Sequence, residues 1–214
     1  MIRMQKIPIL VVAVAVLLLG MHSRSVAATV DLLQALDEGT IWAEFYGTGE
    51  LGVDAVIGRN PGGPSFVTIA PGTQFWAQVP RRQGMTTLGW VPVNLSAQSV
   101  ARLRIPTACT NINLRAPTAD DEMLPTPPPN VRLARLCGFV SPVEDDIHAI
   151  QVAVWAVANN APRHAIERQA DYMLDTDETT DRATRQIAFD TIVSDAAELL
   201  RRAGIDPASY RTFR

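Results

Sequence analysis

The chain reads as α+β: an N-terminal antiparallel Ig-like β-sandwich followed by a three-helix C-terminal part. Three observations predict this. Short apolar stretches of two-residue period recur between residues 40 and 114, broken by glycine and proline turns. A proline-dense stretch follows over residues 115–130. Beyond it the apolar period changes to that of helices.

The first 28 residues stand apart. Arg3 and Lys6 form a basic head, Ile7 to Gly20 is almost wholly apolar, and Ser25-Val26-Ala27-Ala28 supplies small residues. That order predicts a secretory signal peptide, cleaved after Ala27 or Ala28. The apolar run is short for a bilayer span, which takes about 20 residues. The alternative is an uncleaved leader acting as a membrane anchor, the one membrane association the sequence suggests. The predicted location is therefore secreted or periplasmic.

Residues 29–39 predict a short helix. Val30, Leu32, Leu33 and Leu36 form a stripe, and Gly39 stands where a C-terminal cap belongs. Strands follow over Ile41–Tyr46, Leu51–Ile57, Ser65–Ile69, Gln74–Val79 and Met85–Val91. Asn60-Pro61-Gly62-Gly63-Pro64 marks a turn, and Pro71-Gly72 suits a type II turn. Ala101, Leu103 and Ile105 alternate with Arg102 and Arg104, which puts apolar groups inward and arginines outward. A last strand is expected over Cys109–Leu114.

Pro117, Pro125, Pro127, Pro128 and Pro129 make residues 115–130 read as an extended linker. Val131–Cys137 adds a helical turn. Ser141-Pro142-Val143-Glu144 has the form of a capping box, opening a helix expected to reach Asn159. Ile147, Ile150, Gln151, Val154 and Trp155 share one face of it. A second helix is expected from Asn160 to about Leu174, and a third from Thr180 or Asp181 to Gly204.

Charge excludes one class of partner. All 22 acids lie beyond residue 28, and removing Arg3, Lys6 and Arg24 from the 19 bases leaves 16, a net charge of −6. Such a surface does not suit a phosphate-backbone binder, so no nucleic-acid partner is expected. Lys6 is the sole lysine of the chain, so the predicted mature part has none.

Cys109 and Cys137 are the two cysteines. In an oxidising compartment they are a disulfide candidate, which would stabilise the fold by roughly 3–4 kcal/mol. A free buried cysteine is a second reading of Cys109. The third involves Gln151, an amide on an apolar helix face that needs a partner there. Backbone of the β part could supply one. A cysteine thiol could also attack the carboxamide and expel ammonia, leaving a thioester that an amine can open.

The stretch Gln151-Val152-Ala153-Val154-Trp155 resembles the glutamine motif of the thioester domains of Gram-positive surface adhesins. The resemblance implies Cys109 as the thiol side and Gln151 as the acyl side, with His148 and Trp155 as neighbours. Asn60, Phe66–Ile69, Pro71-Gly72-Thr73, Gln83-Gly84-Met85 and Cys109 are also similar to secreted prokaryotic proteins with a β-sandwich and a helical tail. That likeness implies fold and export alone.

Other constellations are weaker. A cysteine–histidine hydrolase could use Cys109 or Cys137 with His148 or His164, but no nucleophile signature surrounds either cysteine. Asp175, Asp177, Glu178 and Asp181 lack an EF-hand's glycine and terminal glutamate, and read as solvated capping carboxylates. No metal or cofactor is expected. Trp42, Trp76, Trp90 and Trp155 read as core anchors. Asn94-Leu95-Ser96 fits a glycosylation acceptor. The reading favoured is an exported, non-catalytic binding or structural module acting on an unknown extracytoplasmic protein or cell-surface component. The thioester-bearing attachment domain is its alternative.

Overall fold

A computed structural model describes residues 29–49, 51–169 and 181–214. The predicted leader, the acidic residues Asp175, Asp177 and Glu178, and the end of the helix expected to reach Leu174 lie outside the described residues. The chain is mixed α+β with two sheets.

The strands are β1 (Val30–Asp31), β2 (Ile41–Gly47), β3 (Gly52–Arg59), β4 (Phe66–Ile69), β5 (Gln74–Ala77), β6 (Met85–Thr87), β7 (Val91–Asn94), β8 (Val100–Cys109) and β9 (Met123–Thr126). A small sheet has the order β1-β4-β7, with β1 parallel to β4. The main sheet has the order β2-β3-β8-β6-β5-β9 with antiparallel neighbours. This sheet curls on itself. Tyr46 bridges Glu122, and Gly47 N donates to Asp121 O at 3.1 Å, so the end of β2 meets the chain entering β9. The result is nearly a barrel, more closed than the sequence predicted. Closure hides edges that would otherwise template pairing with other chains.

The core follows from the strand pattern. Phe45, Val53, Ile57, Phe75, Met85, Ile105 and Met123 are buried. The Phe45 and Phe75 rings lie with centroids 5.0 Å apart. Of the expected alternation, Ile105 is buried, Ala101 and Leu103 are half-buried, and Arg102 and Arg104 are exposed. Arg104 Nε donates to Asp54 across the strand pair at 2.9 Å. Gly72 has φ +82 in the turn after Pro71, as that turn type requires.

The stretch read as a linker contains β9, which pairs with β5 from Ala77↔Met123 to Gln74↔Thr126. Proline is tolerated here because β9 ends the sheet order. The strand expected at Cys109–Leu114 is also absent: β8 runs unbroken over ten residues and stops at Cys109. The loop before β9 packs tightly. A Cβ on Gly47 would lie 2.5 Å from the Pro117 carbonyl carbon, so no larger residue fits there.

The helices are α1 (Leu32–Asp37), α2 (Val131–Phe139), α3 (Ile147–Asn159), α4 (Arg163–Glu167) and α5 (Arg182–Arg202). Four described helices therefore follow residue 130, where three were expected. Asn130 Oδ1 accepts from Leu133 N at 2.8 Å and makes α2 a full helix. The capping box does not start α3. Ser141 N donates to Asp145 in a separate turn, and Asp146 Oδ1 accepts from His148 N and Ala149 N, each at 2.8 Å. Asp146 thus fills two of the donors a helix start leaves open, and α3 begins there. Every residue from Ala149 to Ala156 is buried. Such all-round burial marks a central helix. It packs between α5 and the end of β8. The tail returns to it: Thr212 Oγ1 donates to Ala161 O at 2.6 Å, and Arg211 N to Asn160 Oδ1 at 2.9 Å.

The turn that closes the barrel is pH-sensitive. Asp121 accepts from Thr118 N at 2.6 Å, from Thr118 Oγ1 at 3.0 Å and from Arg82 Nε at 2.9 Å. The Thr118 backbone bond, then the Thr118 hydroxyl and Arg82, hold its carboxyl below the usual value of 3.8. A depressed folded value means the stabilisation is present above 3.8 and is lost as pH falls through the folded value. Asp121→Asn is expected to be less stable than wild type at pH 7, with the difference shrinking on acidification. Urea titrations at several pH values check this.

Candidate functional site

β8 outruns one of its partners. Its pairing with β3 ends at Gly52↔Pro106, apart from a long contact of 3.4 Å from Thr107 N to Leu51 O. Its pairing with β6 continues to Met85↔Cys109. Leu88 N donates to Pro106 O and Thr110 N to Gly84 O, both at 2.9 Å. Antiparallel strands alternate the edge to which their backbone groups point. Residues 106, 108 and 110 therefore face β6, and Cys109 presents its N–H and C=O to the other edge, where no strand remains. A buried edge of this kind needs a donor and an acceptor together.

Gln151 of α3 supplies both. Cys109 N donates to Gln151 Oε1 at 2.8 Å, and Gln151 Nε2 donates to Cys109 O at 2.7 Å. The carboxamide acts as one residue of a missing strand. This satisfies the lone polar group that the sequence placed among apolar neighbours. Gln151 and Cys109 are 3% and 6% exposed.

Two further amides complete the site, and neither was foreseen. Asn111 N donates to Gln83 Oε1 at 3.3 Å, and Ile112 N to Asn159 Oδ1 at 3.2 Å. Four consecutive N–H groups, from Cys109 to Ile112, are thereby occupied as the chain leaves the barrel. Asn159 lies eight residues after Gln151, two turns along the same helix face. That spacing was a signal available in the sequence.

The cysteines are not bonded to each other. Both are free and buried. Cys109 Sγ lies 3.7 Å from Met85 Sδ, whereas Cys137 Sγ lies 3.6 Å from Thr86 Oγ1. Met85 and Thr86 are successive strand residues, so their side chains leave opposite faces. The strand separates the two sulfurs, and the expected disulfide is not formed. Burial pushes each thiol up to about 12, with a Thr86 hydrogen bond opposing the shift at Cys137. Thiolate is the reactive form, and burial opposes it at both sulfurs.

His148 sits half-buried in the first turn of α3, three residues before Gln151. Its ring makes no hydrogen bond among the described residues. His164 is exposed on α4. Trp155 is buried one turn after Gln151, and its Nε1 has no partner among the described residues. The other tryptophans depart from the core role expected of them: Trp42, Trp76 and Trp90 are exposed, Trp90 by 65%. Asp181 is the N-cap of α5, accepting from Ala183 N and Thr184 N. Among the described residues no group of His, Cys, Asp and Glu could hold a metal ion, and no helix is long and apolar enough to cross a membrane.

Gln151→Leu keeps size but strands the Cys109 N–H and C=O. It is expected to cost about 2–5 kcal/mol in urea unfolding, against about 1 kcal/mol for Asn159→Ala. Cys137 is expected to resist iodoacetamide in the native protein at pH 8 and to react once guanidinium unfolds the chain, as peptide mapping will read.

Compared with family models, curated proteins and solved structures, the chain matches none of them.

Proposed function

We infer that this chain is an exported, non-catalytic attachment module in which Cys109 and Gln151 close an internal thioester. Its target is an amine on an extracytoplasmic protein or cell-surface component. The observation that carries this reading is the seat of the Gln151 carboxamide on the backbone of Cys109, across 42 residues of chain. Export rests on the pattern of residues 1–28. In the same reading the two sheets form a sandwich-like pair, its larger sheet curled.

The chemistry balances without a cofactor. Cys109 Sγ bonds to the Gln151 carboxamide carbon, the C–N bond breaks, and the thiol proton leaves with the nitrogen as ammonia. The Cys109 N–H already lies on Oε1, the oxygen that gathers charge in the tetrahedral adduct. The two hydrogen bonds hold the carboxamide on the residue that carries the thiol, which makes the step intramolecular. The thioester is neutral, so the burial that opposes ionisation does not oppose it, and the same burial keeps water from hydrolysing it. An incoming amine, admitted by local opening of the junction, would then take the acyl group and return the thiol. The absence of lysine after Lys6 removes side-chain amines that would consume the bond.

A second reading, a binding or structural module without covalent chemistry, is favoured by the completeness of the Gln151 clamp. Both of its hydrogen bonds exist with the thiol free. Intact mass separates the two. The attachment module is expected to weigh one ammonia less than its sequence, to gain one methylamine on exposure to that amine, and to do neither as Cys109→Ala. A full sequence mass with two alkylatable thiols in guanidinium overturns the thioester and leaves the clamp.

A further inference from the structure

Three loops gather at the end of the barrel where β8 stops. They enclose a groove of about 780 Å³. Arg81 and Arg82 reach it from the β5–β6 loop, Arg115 from the segment after β8, and Val79 and Leu114 form apolar wall. Among the described residues the one carboxylate lining it is Asp121. Barrel mouths are a common place for ligand sites.

Charge in the groove is unbalanced. The bonds of Asp121 are taken by Thr118 and Arg82. Arg82 is fixed further by donating to Ala116 O at 3.3 Å. Arg81 and Arg115 are exposed, and neither guanidinium has a carboxylate partner among the described residues. With Arg82 paired to Asp121, Arg81 and Arg115 remain as two uncompensated cations and leave the groove positive in a chain whose formal charge is −3. Arg81 also holds φ +64, a left-handed conformation uncommon for a residue other than glycine, asparagine or aspartate. That backbone strain sets an arginine at the rim, and strain of this kind collects at ligand sites.

We propose that this groove binds a ligand carrying two or more spaced oxyanions, carboxylate, sulfate or phosphate, held by Arg81 and Arg115 over a floor fixed by the Arg82–Asp121 pair. Guanidinium forks match such groups in two-point geometry. The apolar walls accept the carbon skeleton between the anions. The site is separate from the Cys109–Gln151 junction and does not depend on its chemistry.

The test is calorimetric titration of the full chain with citrate, pyrophosphate and a sulfated disaccharide, at low and high salt. Saturable binding of at least one probe is expected, weakening as salt rises. The probe that binds most tightly identifies the oxyanion. The double variant Arg81→Asn/Arg115→Gln should bind it at least about tenfold more weakly, since one charged hydrogen bond is worth that much. Asparagine tolerates the left-handed backbone, so Arg81→Asn alone should keep the wild-type melting temperature and still lose affinity. Arg102→Gln, on the outer face of β8, should bind as wild type. No saturable binding by any probe, equal binding by the double variant, or equal loss in Arg102→Gln overturns the proposal.

Discussion

The fold depends on how the end of β8 is satisfied. A strand that keeps one neighbour and loses the other exposes a donor and an acceptor, and at Cys109 both are shut away from water. Water cannot repair them there, and leaving such groups unpaired costs more than a hydrogen bond contributes. Gln151 resolves this with one side chain that carries a donor and an acceptor at strand-like spacing. The consequence is positional. Helix α3 cannot slide or rotate on the barrel without breaking both bonds, and Asn159 adds a third from the same helix to Ile112.

The surroundings follow from that pair. Because α3 is held against the barrel and packs α5 on its other side, all its faces are covered, and its sequence is apolar all round. The amides of Gln83 and Asn159 extend the same solution to the residues leaving the barrel. Beyond them the chain crosses the barrel end, rests on Gly47 and Thr118–Asp121, and enters β9. One segment therefore links the helix clamp, the closure of the sheet and the arginine-lined groove. A displacement of that segment would be felt at all three.

Burial also sets the character of the sulfur chemistry. Burial pushes the Cys109 thiol up to about 12, so the thiolate is disfavoured there. The same dry environment is what makes the Gln151 hydrogen bonds to Cys109 necessary. Separation of the two sulfurs by β6 leaves Cys109 free of a competing partner within the chain.

Much of this architecture was legible in residue order alone. The two-residue period of Ala101, Leu103 and Ile105, the Pro71-Gly72 turn and the apolar stripe of α3 are local patterns, set by strand and helix geometry over a few residues. Gln151 announced itself because an amide among valines and alanines must be satisfied. What the sequence could not decide was long-range. Closure of the sheet through Tyr46 and Glu122, and the strand inside the proline-rich stretch, depend on pairing across many residues, where local propensity is silent. The disulfide was inferred from counting cysteines, yet the face of β6 on which each sulfur lies is a property of register. The partner of Gln151 was open on paper for the same reason. Residue types state which groups must be satisfied, and only the assembled sheet determines which edge is left for them to meet.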